Sequence, residues 1–403
     1  MDMGDAAAAG MSARYLVPAE VPIVIATIFR EHGTTGVHTH FWQLRNYLDG
    51  QGISTSLVTP FSWGGLLTRA VFAGRFVLVR ISGPASVVWY RHWHEFFLRR
   101  ALRRHLAGLG DCVIYAQGPM EARAALRARR GPHQRIVIAV HFRYSQADEH
   151  TEPGREIKRD GLLFRSIRRM EREVILQADG LMYVSEWARS ALLSWLPEAA
   201  AVRSTVITNF VAASPAAQAE LQPIADLVTT GKLEIRKNHR FLFEVLAEAK
   251  RAGRTLTLDV YGQGELKGEL GRLSRLMGLE GQVRLRGFRS DVRDFLPGYR
   301  AYVHAASAET SSLAIIEAMA AGLPIFAVGL EPIRELCTDG VEARFWQLDD
   351  PAKAAAMLMD LLDNEAARLK AGAAALERFR RDFDANAVGM RLYAFICDSS
   401  PTA

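Results

Sequence analysis

At 403 residues, with 49% hydrophobic and 23% charged side chains, the chain exceeds what one hydrophobic core ordinarily supports and has the composition of a soluble globular protein of two domains. Its formal net charge of +6 points to anionic partners, whether nucleic acid, acidic lipid or a phosphorylated substrate, without choosing among them. Apolar runs such as the one around Phe76 to Val79 meet arginine well before the roughly 18 residues of a membrane span, and Asp2 and Asp5 stand where a signal peptide needs positive charge. The first dozen residues read as a disordered tail. Cys112, Cys337 and Cys397 are odd in number and far apart, which suggests neither a disulfide framework nor a zinc site and fits a reducing compartment.

Short β-rich apolar runs alternate with segments of helical period, the pattern of parallel sheets with crossover helices. In the first half, strands are expected at Ile23–Ile28, Ser54–Thr59, Cys112–Ala116, Ile136–His141, Leu181–Val184 and Val206–Thr208. A helix begins near Gly36 and sets Val37, Phe41, Leu44 and Leu48 on one face. The stretch Asn209–Pro223 keeps no sustained period and reads as a linker. A second series of strands follows at Asp226–Thr230, Leu256–Tyr261, Val283–Leu285, Ala301–Val303 and Pro324–Val328, so two Rossmann-like units stand in tandem. From Pro351 onward helices alone are expected, the last near Ala385–Ile396.

The most informative stretch, Glu309 to Pro324, reads E-T-S-S-L-A-I-I-E-A-M-A-A-G-L-P and sets two carboxylates eight residues apart. A strand ending near His304, a loop holding Glu309 and a helix starting near Ser311 or Ser312 would aim free N–H groups and hydroxyls at an anion. The carboxylates can accept hydrogen bonds from sugar hydroxyls. A plain helix cap with a solvated Glu317 fits the same residues. The run T-T-G-K-L-E-I-R-K-N-H, Thr229 to His239, gathers Lys232, Arg236 and Lys237 in one loop. Fixed cations of this kind stabilise a departing diphosphate, and a solvent-facing basic loop is the alternative.

Glu309 to Pro324 resembles the E-x7-E motif of the retaining GT-B glycosyltransferases of family 4, also called group 1, down to E-A-M-A-A-G-L-P. The resemblance runs from about Ile23 to Ile396, strongest over Gly231–Pro324 and weakest over Ser62–Gly110. It implies the α/β GT-B fold, two Rossmann-like domains facing across a cleft. The acceptor-side domain would span 13–210, the nucleotide-sugar-binding domain 211–384, and a C-terminal helix within 385–403 would return to the first domain. In that family the first glutamate lies beside the donor sugar and the second takes the ribose hydroxyls, roles that fall on Glu309 and Glu317. Thr310, Ser311 and Ser312 replace the glycine-rich loop of many relatives. The family's G-R-x4-K appears as Gly231, Lys232 and Lys237, with lysine in place of a forked arginine. In H-G-T-T-G-V-H, His32 to His38, Gly36 keeps one of a glycine pair. His141 matches a histidine near the donor sugar and Phe288 a turn bordering the base. Gly262 and Gly264 match a structural V-G-x-G turn, and Ser185 a strand end near the cleft. The implied set is therefore His141 and Glu309 for catalysis, with Gly36, Lys232, Lys237, Phe288, Ser311, Ser312, Leu313 and Glu317 on the donor.

Other nucleotide-binding classes fit poorly. Gly262, Gly264 and Gly268 carry one residue too many for a dinucleotide fingerprint, and Gly231-Lys232 lacks the rest of a P-loop. Asp382-Phe383-Asp384 has the form of a metal-binding D-x-D but falls at a helix boundary, so no metal and no cofactor beyond the nucleotide-sugar substrate are expected. Between Ser62 and Leu106, Trp63, Phe72, Phe76, Trp89, Trp93, Phe96 and Phe97 interleave with Arg99, Arg100, Arg103 and Arg104. That mixture suits a bilayer surface or a packed core with a basic rim, and no nucleic-acid motif accompanies it. The resemblance thus implies a retaining transferase moving a sugar from a UDP- or GDP-sugar to a hydroxyl of a glycan or lipid-linked acceptor, in bacterial exopolysaccharide, lipopolysaccharide or lipid-linked glycan synthesis. The expected location is the cytoplasm, with contact at the anionic inner face of the plasma membrane. A catalytically inactive subunit that binds glycan or a partner is the alternative, and an epimerase needing no acceptor is a related class.

Overall fold

The computed structural model describes residues 21–398 apart from 32, 34, 64–65, 152–156 and 214–223. The expected tail, His32 and most of the expected linker lie outside the described residues, as do the side chains of Trp63 and Phe76. Among the described residues twelve strands form two six-stranded sheets, every pairing parallel. The first holds β1 (Ile23–Ala26), β2 (Thr55–Val58), β3 (Cys112–Ala116), β4 (Gln134–Val140), β5 (Gly180–Tyr183) and β6 (Ser204–Val206), in the order β2-β1-β3-β4-β5-β6. The second holds β7 (Ala225–Thr230), β8 (Leu258–Tyr261), β9 (Val283–Gly287), β10 (Tyr299–His304), β11 (Ile325–Val328) and β12 (Ala343–Trp346), in the order β12-β11-β10-β7-β8-β9. The sequence reading did not foresee β12. It is a four-residue edge strand in which Arg344 breaks the apolar run, and Trp346 is anchored by donating from Nε1 to the His304 carbonyl at 3.2 Å.

Each sheet has a switch point where strand order reverses, between β1 and β3 in the first and between β7 and β10 in the second. Loops leaving the carboxyl ends of strands diverge there and open a crevice. Both faces of each sheet are covered, which is why strands such as Ile23-Val24-Ile25-Ala26 read as unbroken apolar runs. On one face of the first sheet, Ile23 and Ile25 pack with Phe41, Leu44 and Leu48 of the helix Gly36–Gly50.

The final helix, Ala385–Cys397, completes that same core with Val388, Leu392, Tyr393 and Ile396. Burying each such side chain contributes about 1.5–3 kcal/mol over leaving it exposed, which fixes the chain's return to the first domain after the second is complete. Gly389 permits the approach, because a Cβ there would lie 2.5 Å from the Tyr47 ring. Arg135 and Arg203 then donate to the carbonyls of Cys397 and Phe395, at 2.7 and 2.9 Å, near the helix's negative end.

The aromatic, basic segment of the first domain folds as a hairpin of helices Leu66–Ile81 and Gly83–His105, turning at Ser82. Trp89 and Trp93 are half-buried within it rather than turned to solvent. Trp89 Nε1 donates to the Val71 carbonyl of the facing helix at 3.0 Å, and Trp93 stacks on Phe97 with ring centroids 5.7 Å apart. Among the hairpin's described side chains the exposed large apolar ones are Val79, Ile81 and Val88, near the turn and beside exposed Arg80. Among the described residues no helix is long and apolar enough to cross a membrane. The three cysteines are buried and free.

Candidate active site

Loops from both switch points meet in a cleft of about 590 Å³ lined by the two domains. After β7 the chain passes Gly231 and enters the basic turn Ile235–Lys237. Gly262 at the end of β8 lets that loop pass close by, because a Cβ there would lie 1.8 Å from the Gly231 carbonyl oxygen. Asn238, at φ 47°, then reverses the backbone into the helix His239–Arg251, a left-handed conformation that asparagine tolerates better than most residues.

After β10 the next loop brings Glu309 against this basic turn. Arg236 Nη1 donates to Glu309 Oε2 at 3.0 Å, Lys237 Nζ is ion-paired with Oε1, and His304 Nε2 donates to Oε1 at 3.2 Å. Arg236 also donates to the Ala308 carbonyl at 2.7 Å and to Glu234 at 2.8 Å, while Lys232 pairs with the other Glu234 oxygen at 2.9 Å. Burial alone would raise the Glu309 carboxyl; Lys237, His304 and Arg236 outweigh it and hold the group well below the usual carboxylate range. Burial keeps His304 neutral, so it serves as a hydrogen-bond donor to a permanent anion.

Ser312 caps the helix Leu313–Ala320 by accepting from the Ile315 N–H at 3.4 Å. Among the described residues no acceptor takes the N–H groups of Leu313 and Ala314, both of which line the cleft. The adjacent Ser311 hydroxyl is buried without a partner. One turn on, Glu317 lines the same cleft, and burial raises its carboxyl above the ordinary value, opposed by Arg293.

From the first domain, Gly36 opens its helix on the cleft and His141 follows β4. His141 Nε2 donates to Gln117 Oε1 at 3.2 Å, and its ring packs edge-on against His40 at 4.6 Å between centroids. His40 is itself fixed by Asn209 at 3.0 Å and Tyr115 at 2.9 Å. Burial, with the neighbouring His40, pushes the His141 imidazole well below its ordinary value, so it is neutral at physiological pH.

Cations, carboxylates and helix N–H groups facing one interdomain cleft make a site for a polyanion bearing hydroxyls, and comparison with known proteins gives the family. The profile of "Glycosyltransferase Family 4" matches residues 34–214 and that of "Glycosyl transferases group 1" residues 225–364. The chain belongs to the family 4, group 1 glycosyltransferases. Over 387 residues it is 27% identical to phosphatidyl-myo-inositol mannosyltransferase of Mycobacterium tuberculosis, covering 90% of this chain and 94% of that protein. Over 99 residues it is 30% identical to the GtfA subunit of the UDP-N-acetylglucosamine–peptide N-acetylglucosaminyltransferase of Streptococcus gordonii, covering 25% of this chain and 19%, about a fifth, of that one. Anabaena Alr3699/HepE, solved in complex with UDP, superposes with a TM-score of 0.64 at 16% identity over 93% of this chain and 98% of that one, a likeness of GT-B fold.

Within this glycosyltransferase, all ten residues marked from the sequence line the one cleft: Gly36, His141, Lys232, Lys237, Phe288, Glu309, Ser311, Ser312, Leu313 and Glu317. Phe288 stands half-exposed at the rim. Ser185 lies outside this lining and caps the helix Glu186–Trp195. Asp384 caps the final helix, so Asp382-Phe383-Asp384 does mark a helix boundary. Sequence reasoning missed Gln117 and Asn209, named His304 only as a strand end and Thr310 only as replacing part of a glycine-rich loop, and gave Arg236 no role beyond its charge. Arg236 carried a signal in the basic run; Gln117 and Asn209 carried none, being defined by partners distant in the chain.

Proposed function

We propose that this chain is a retaining glycosyltransferase that moves a sugar from a UDP- or GDP-sugar to a hydroxyl of a glycan or lipid-linked acceptor, in synthesis of a bacterial surface polysaccharide, lipopolysaccharide or lipid-linked glycan. The observation that carries the reading is the Lys237–Glu309–Arg236 cluster, set beside the open N-terminus of the helix Leu313–Ala320 in the interdomain cleft. In this reading Lys237, Lys232, the N–H groups of Leu313 and Ala314 and the Ser311 hydroxyl receive the diphosphate. Their charge complements the negative charge that grows on the leaving group, an effect usually among the largest in group transfer. Glu309, held ionised, accepts from sugar hydroxyls but cannot supply a proton. His141, held neutral, orients the sugar from the opposite domain. Glu317 accepts from the ribose hydroxyls, and Phe288 borders the base.

Bond changes balance without a metal. The acceptor hydroxyl attacks the anomeric carbon on the leaving-group face, the sugar–phosphate bond breaks, and a donor phosphate oxygen takes the acceptor's proton. The mannosyltransferase relative acts, by its name, on phosphatidyl-myo-inositol, a lipid acceptor, which supports an acceptor at a membrane surface. The apolar tip of the first domain's hairpin, Val79, Ile81 and Val88 beside Arg80, has the character to seat at an anionic bilayer. Incubation with a panel of UDP- and GDP-sugars tests the reading, with nucleoside diphosphate release and product NMR as readouts. Retention of anomeric configuration is expected. Inversion would overturn the stereochemical assignment. Neither binding nor release with any donor would leave an inactive glycan- or partner-binding subunit as the better description.

A further inference from the structure

The short loop carrying Glu309 also carries contacts between the domains. The hydroxyl of Thr310 donates across the cleft to the backbone carbonyl of His141 at 3.1 Å. The carbonyl of Thr310 accepts from Ser185 Oγ of the first domain at 2.7 Å. Beyond it, the carboxylate of Glu335 in the second domain accepts from the N–H groups of Glu186 and Trp187, both at 2.8 Å. Those N–H groups open the helix Glu186–Trp195, so the bonds are charge-assisted and favoured by the helix dipole.

Thr310 therefore has Glu309 on one side, Ser311 and Ser312 on the other, and the first domain bonded at both its hydroxyl and its carbonyl. Separating the domains withdraws His141 and unties this loop in the same movement. Contacts made in the closed arrangement alone shift its population, and any ligand that needs that arrangement binds in proportion. We propose that Thr310 is a positioning residue that couples domain closure to the shape of the donor loop, with Glu335 as the second half of the clasp. The inference rests on the donor reading above for its consequence and on the hydrogen bonds alone for its mechanics.

The test uses the full chain, free and with UDP or GDP as probes. Thr310→Val keeps the side chain's size and removes its donor, Thr310→Ser restores the donor, and Glu335→Ala cuts the second contact outside the cleft. Thr310→Val and Glu335→Ala are each expected to weaken nucleotide binding by roughly two- to tenfold, the range of one net hydrogen bond. Both should enlarge the radius of gyration in small-angle scattering while thermal unfolding stays at the wild-type temperature, and Thr310→Ser should return binding and scattering to wild type. A purely structural role would instead lower the unfolding temperature without changing domain separation. If both disruptive variants bind and scatter like the wild type, the clasp is overturned even in a chain that transfers sugar. If the wild type binds neither nucleotide, the donor reading fails, and scattering of the free variants still decides the clasp.

Discussion

The loop Glu309–Ser312 of the second domain and the helical hairpin 66–105 of the first are both rich in chemistry-bearing side chains, yet one was readable from sequence and the other was not. The loop's charges stand between a strand and a helix N-terminus, where backbone N–H groups already point outward, so residue type and position agree on one use. In the hairpin, tryptophan and arginine each carry an apolar body and a polar end, and serve a core or a surface equally well. Packing decided it: Trp89 and Trp93 turn inward, and among the described side chains the large apolar ones left exposed are aliphatic residues near the turn.

Charge at the loop and at the basic turn Ile235–Lys237 paired with it should therefore govern rate, and aromatic packing in the hairpin should govern stability. The largest expected effect is Lys237→Ala. It removes the cation ion-paired with Glu309, which the proposed function sets on the diphosphate, and a loss of about 10²–10³ in the rate of sugar transfer is expected, the usual scale for one electrostatic contact to a developing charge. Initial rates at saturating donor measure it. A variant within a few-fold of wild type would dissolve the contrast, since the readable region would then not be the chemical one.

Next comes Trp93→Ala in the hairpin. Full removal of a buried tryptophan costs about 3–5 kcal/mol, and half-burial brings the expected loss to about 2 kcal/mol in denaturant unfolding of the first domain. Nucleotide binding, which the proposed function seats mainly on the second domain, should stay at the wild-type value. An altered nucleotide Kd with unchanged stability would reverse the roles of the two regions.

The same contrast shows what a single sequence can hold. Strand positions were legible because both sheets are buried on two faces, so Ile23–Ala26 and Cys112–Ala116 are unbroken apolar runs. β12 was not, because an edge strand of four residues containing Arg344 has no such run. Lys237 and Glu309 were legible as charges at strand ends. That they pair with each other, with Arg236 and His304 completing the shell, depends on the β7–β10 switch point, a property of strand order rather than of any local pattern.

Glu317 sharpens the comparison on the helix that follows the loop. Glu317→Gln should weaken UDP or GDP binding about tenfold, near the lower end for a hydrogen bond to a charged group. The pH dependence carries a sign. Burial raises the Glu317 carboxyl above 4.5, so it gains its proton, and loses acceptor strength, while pH is still above that value. Nucleotide affinity of the wild type should therefore fall as pH drops from neutral toward 4.5, and the glutamine variant should lack that component. Subtracting the two profiles cancels the nucleotide's own titration; a difference that does not change with pH would show that Glu317 meets no part of the ligand.

The smallest effect on the fold is expected at the hairpin's turn, where it separates packing from docking. Val79 and Ile81 are exposed, so Val79→Ser with Ile81→Ser should change unfolding stability by less than about 0.5 kcal/mol per site, as for surface substitutions generally. Their burial in a bilayer's headgroup layer would contribute in proportion to apolar area, so the same pair should markedly reduce flotation with anionic vesicles while leaving donor hydrolysis in solution unchanged. Trp93→Ala should do the opposite, lowering stability with little direct effect on vesicle binding. Should the serine pair float as well as wild type, the exposed aliphatic tip is not a membrane contact.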